Sequence, residues 1–127
     1  MRYLLFSLFL FLPFFGIGQS HSDYGSVKVV SAATQNTFGF NVGYYVKFQN
    51  NSNKAVDGLK WTANFYDNFD EFKGTREGQW QSGNFSTPIP IGGFTQDLET
   101  AEVDGATKVF ITIKLVHYTD GTSAKRE

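Results

Sequence analysis

Cysteine is absent from this chain of 127 residues. That excludes disulfides, thiol catalysis and cysteine-ligated zinc, and leaves packing alone to hold a small fold together. A surplus of one charge is also missing. Eleven basic residues face twelve acidic ones, interspersed and without a basic block. That balance disfavours nucleic acid and an anionic membrane surface as partners. Only two histidines occur, and no GxSxG stretch marks a nucleophile elbow. "PIGGF" has a glycine pair but no phosphate-binding lysine, so it reads as a turn. No internal repeat, low-complexity tract or linker divides the chain.

One long apolar run is present, at the start. Leu4 to Ile17 is interrupted only by Ser7, Pro13 and Gly16, and Arg2 gives it a charged start. Gly16 and Gly18 are the small residues that precede a cut before Gln19. Residues 1–18 thus read as a signal peptide, with an uncleaved anchor as the alternative. The run is shorter than the ~20 apolar residues that span a bilayer, and Pro13 disfavours a continuous helix. No cysteine follows it, which excludes a bacterial lipid anchor. Cleavage leaves residues 19–127, about 109 residues, as one domain with a net charge of −2 once Arg2 is removed. The product is expected in the periplasm or outside the cell, with no integral membrane segment.

Aromatic residues make up 17% of the chain, phenylalanine foremost, which suits a β-rich core. In "FGFNVGYYVKF", Phe38, Phe40, Val42, Tyr44, Val46 and Phe48 occupy alternate positions. Period two over that length predicts a strand with one buried face. "GLKWTANFYD" repeats the pattern with Leu59, Trp61, Ala63 and Phe65. "KVFITIKLVHY" repeats it with Val109, Ile111, Ile113 and Leu115, before a "TDGT" turn. Between the first two runs, "NNSNK" reads as a corner rather than a ligand site.

Weaker strands are expected at "SVKVVSA", with Val27 and Val29 on one face, and near Phe72–Thr75, Gln79–Phe85, Phe94–Leu98 and Thr122–Arg126. Pro88 and Pro90 confine "STPIPIGG" to an edge or loop. "DLETAEVDGA" has room for one helical turn, ended by Gly105. The whole predicts an all-β, immunoglobulin-like antiparallel β-sandwich of about seven strands, with a small closed barrel as the alternative.

Four segments, "VKFQNNSNKAV", "LKWTANFYDNF", "TPIPIGGF" and "VFITIKLVHYTDG", give the chain a likeness that runs from about Val27 to Gly121. It resembles the FxLYD-type immunoglobulin-like domains of bacterial extracytoplasmic proteins. "NFYD" departs from that pattern at Asn64 and Phe65. The apolar start followed by Gln19 also resembles exported proteins of the Bacteroidetes. The resemblance implies an interaction or scaffold module with no catalytic residues to carry over.

His21 lies beside the cut, in a segment expected to be loose. His117 continues the inward phase of the last strong strand and is expected at its rim. Neither has an evident catalytic partner, so the chain reads as a non-enzyme without a cofactor. Asp67, Asp70 and Glu71 have calcium-type oxygens but lack the EF-hand spacing, and read as a solvated bend. Glu99, Glu102 and Asp104 form a second acidic loop.

The outward phase of the strong strands is the candidate binding face: Tyr45, Lys47, Thr62, Asn64, Tyr66, Thr112 and Lys114, with Trp80 at its margin. Its mixture of rings and hydrogen-bonding groups suits an unidentified protein partner in the cell envelope or outside the cell. A glycan is the alternative, and ordinary cross-strand pairing is the reading without function.

Overall fold

The computed structural model describes residues 21–37, 40–83 and 86–126. The predicted signal peptide lies outside them, as do Phe38 and Phe85. Seven strands follow in order: β1 (Val27–Thr37), β2 (Phe40–Asn50), β3 (Val56–Tyr66), β4 (Phe72–Gln81), β5 (Phe94–Thr100), β6 (Lys108–Tyr118) and β7 (Ser123–Lys125). They form two antiparallel sheets, β1-β2-β5 and β4-β3-β6-β7. With β1 to β7 taken as A to G, this order differs from the constant-type immunoglobulin sandwich in one strand. The fourth strand pairs with the third instead of the fifth.

The alternation read from sequence fills the space between the sheets. Tyr44, Val46 and Phe48 from β2 face Leu59, Trp61, Ala63 and Phe65 from β3, and Ile111 and Ile113 from β6. Trp61 is fully buried and donates its indole N–H to the Tyr44 hydroxyl across the gap (2.9 Å). Its ring packs on Phe48, with centroids 5.0 Å apart. Tyr44 in turn meets Phe65 edge-on at 5.5 Å. Burial pushes the Tyr44 hydroxyl up to about 12. It therefore stays protonated and can accept the indole bond and donate one of its own.

"NNSNK" is a corner built on one buried amide. Asn50 is fully buried and donates to the carbonyls of Lys54, Ile89 and Pro90. Its side-chain oxygen accepts from the Ser52 amide and hydroxyl. The same residue thus shapes the β2–β3 turn and ties it to the proline-rich loop. Between Pro88 and Pro90, Ile89 makes the one ladder contact that prolines cannot, a two-way bond with Val56.

Several expectations change. The two short strands of the middle segment are one continuous β4. "DLETAEVDGA" contains the end of β5 and a turn at Asp104 and Gly105, and no helix. β1 runs eleven residues rather than a few. His21 is tied down: its Nδ1 accepts the Ile111 amide (3.1 Å), and Ser22 pairs with β6 in parallel.

The inward phase of β6 also breaks after Ile113. Trp61 pairs with Ile113 but Lys60 pairs with Leu115, so Lys114 is an extra residue in the ladder. Beyond this bulge Val116 and Tyr118 turn inward, and Leu115 and His117 turn outward. A matching extra residue, Asp57 on β3, restores the register between Val56 and Tyr118.

Two stability measurements check this packing. Trp61→Ala should lower stability by about 3–5 kcal/mol in a denaturant titration, and Tyr45→Ala by much less, because Tyr45 faces solvent. Equal losses would contradict the assigned faces. Gly78 lies against the Trp61 ring, and a Cβ there would sit 2.3 Å from the indole. Gly78→Ala should therefore cost about 1–3 kcal/mol. Gly83→Ala, whose Cβ meets nothing within 4 Å, should be nearly neutral.

Candidate functional site

The residues of the candidate face divide between the two outer surfaces of the sandwich. β2 belongs to one sheet, and β3 and β6 to the other. Tyr45 and Lys47 therefore point away from Thr62, Asn64, Tyr66 and Thr112. Trp80 departs from the expectation. It pairs with inward-facing Leu59 and is 9% exposed, so it belongs to the core. Lys114 sits in the bulge of β6, outside the regular row.

On the outer surface of the β4-β3-β6-β7 sheet, four rings lie in a line across the strands. Phe72 on β4 meets Tyr66 on β3 edge-on, with centroids 5.7 Å apart. Tyr66 meets Phe110 on β6 at 5.8 Å, and Phe110 meets His21 at 5.7 Å. Phe72 is 58% exposed. Beside the line, Thr75 donates to Asn64 (2.8 Å), and Thr62 pairs with Thr112. Burial lowers the affinity of His21 for a proton.

At the opposite end of this surface lies a groove of about 410 Å³. Gly58, between Gln81 and His117 in the ladders, leaves out the side chain that would fill it. The two bulges turn Asp57 and His117 toward each other, with Asp57 Oδ1 and His117 Nδ1 2.5 Å apart. A carboxylate can only accept, so the bond is donated by Nδ1–H.

The acidic bend after β3 is organised by its own backbone. The amides of Phe69 and Glu71 donate to Asp67 Oδ1, and Lys73 approaches Oδ2 at 3.5 Å. The Glu71 amide, foremost, holds the Asp67 carboxyl below the usual range. Asp70 pairs with Lys108. These carboxylates have partners within the fold, and among the described residues no three acidic or histidine side chains converge on a cation site.

On the outer surface of the β1-β2-β5 sheet, Tyr45 and Lys47 of β2 point outward as expected, but the share of β5 was not legible in the sequence. β5 alternates, but its phase is reversed. Thr95, Asp97 and Glu99 lie opposite the core residues Phe48, Val46 and Tyr44, while Phe94 and Leu98 face solvent. Phe94 is 53% exposed and Leu98 52%. Leu98 lies directly across from Tyr45, and the Lys47 ammonium sits 4.9 Å over the Phe94 ring. Glu99, expected in a loop, is therefore on a strand beside Asp97. Burial, then the Asp97 carboxyl, pushes Glu99 up to about 7, and burial raises Asp97 too. The Gln79 amide on β4 partly offsets the shift of Glu99. A polar inward phase is tolerated because β5 is an edge strand, and its inward side opens to water beside β4.

No protein-family model, curated protein or solved structure matches the chain.

The carboxyl pair gives a pH prediction. Glu99 holds its proton more tightly folded (about 7) than its ordinary value of 4.5. Its contribution is therefore full below pH 4.5 and is lost as pH rises through 7. Glu99→Gln should gain stability relative to the parent at pH 8 and show no such gain at pH 4.5. Urea titrations at the two values check this, and a constant difference between the two proteins would refute it.

Proposed function

We propose that this chain is an exported, non-catalytic β-sandwich module that makes protein contacts in the cell envelope or outside the cell. The reversed phase of β5 carries the reading. A strand that turns Phe94 and Leu98 to water beside Tyr45, and its carboxylates inward, gives up burial that the opposite phase would gain. The resulting surface has an apolar centre and a polar rim of Lys47, Gln49 and Gln96, which is the composition of a protein contact. The apolar start of the chain supports export.

The line of Phe72, Tyr66 and Phe110 favours a second reading, a glycan lying across rings flanked by Asn64 and Thr75. A photoreactive phenylalanine replacing Leu98 should capture a discrete protein in the producing cell, and one replacing Thr75 should not. Glycan-array binding that Tyr66→Ala abolishes, with no capture at position 98, would reverse the order of the two readings.

A further inference from the structure

We infer that the free edge of β5 accepts an extended segment of another protein in which lysine or arginine alternates with apolar residues. This rests on the protein-contact reading and specifies the partner's form and charge. β5 is hydrogen-bonded to β2 along one edge only. In an antiparallel pair, every second residue aims its N–H and C=O away from its neighbour, so the other edge is a template for an added strand.

The two sides of β5 would meet different side chains of that strand. On the outward side, apolar residues of the newcomer would stand beside Phe94 and Leu98, at the roughly 5 Å separation of cross-strand pairs. On the inward side its lysine or arginine residues would stand beside Asp97 and Glu99. No lysine or arginine among the described residues forms an ion pair with either carboxyl.

The neighbouring elements supply no cation. β2 brings the Tyr44 hydroxyl toward the pair, and β4 brings Glu77 and the Gln79 amide. Arg76 on β4 spends its guanidinium on the carbonyls of Thr75 and Glu102. A cationic side chain from outside would stabilise the ionised pair. A neutral strand would bury it without compensation, and a second copy of β5 would add carboxylates to the same seam. Charge thus selects a basic-apolar segment and rejects self-pairing.

The test uses the whole domain and a blocked nine-residue peptide alternating lysine with valine, followed by calorimetry and amide hydrogen exchange. Binding at pH 8 should protect the amides of β5. The peptide with glutamate for lysine should bind at least about tenfold more weakly, and Asp97→Asn with Glu99→Gln should erase that preference. Affinity for the lysine peptide should fall by up to about 30-fold between pH 8 and 5.5, because binding must expel the Glu99 proton. N-methylation of the peptide amides that face β5 should abolish binding, and methylation of the opposite set should not. Equal affinity for both peptides, or binding that survives methylation of the amides facing β5, would overturn the proposal. Failure of the lysine peptide while position 98 still captures a protein would overturn the added strand alone. Failure of both would remove the protein-contact reading with it.

Discussion

The indole of Trp61 crosses from one sheet to the other, and its N–H ends on the hydroxyl of Tyr44. A buried donor without a partner would cost about 1–3 kcal/mol, so the tyrosine is required where it stands. The ring also demands a neighbouring position with no side chain, and Gly78 supplies it. Phe48 closes the third side. Strands β2, β3 and β4 are thus placed relative to one another by one side chain, without a disulfide. Along the regular stretches of these three strands the outward residues follow from that placement, because the neighbours of an inward residue on a strand must face the other way.

The groove and the His117–Asp57 pair arise from a local departure from that rule. Two extra residues, one on β3 and one on β6, shift the ladder by one step and then restore it. Between them the core remains continuous, with Leu59 against Val116, while the outer side gains a bare glycine and a facing acid and base. A regular ladder would have turned His117 inward, where its ring would need a buried partner.

The strong elements could be read in the sequence because alternation over six or more residues is a direct consequence of one dry face. Trp61, Phe65, Phe48 and Ile111 were assigned to the core on that ground, and the corner role of "NNSNK" followed from its residue types. What escaped reading shares a physical cause. A bulge changes phase without changing composition, so His117 and Leu115 were placed on the wrong sides. Alternation alone also cannot say which phase points inward at an edge, so β5 was read without its reversed face. Trp80 was put at the margin of the outer face, and only its pairing with inward-facing Leu59 determines its side. The partition of the candidate residues between two surfaces depended on strand order, which no local pattern encodes.

The interleaved strand order bears on how the chain reaches this state. β2 finds its second neighbour in β5, and β3 finds one in β6, each across a long intervening stretch of chain. Neither layer is complete until most of the polypeptide has been made. Pairings between distant segments are slow to form, because loop closure must precede their reward. A nascent chain emerging in order would hold the aromatic faces of β2 and β3 uncovered until β6 arrived, and in that interval it would be most exposed to aggregation.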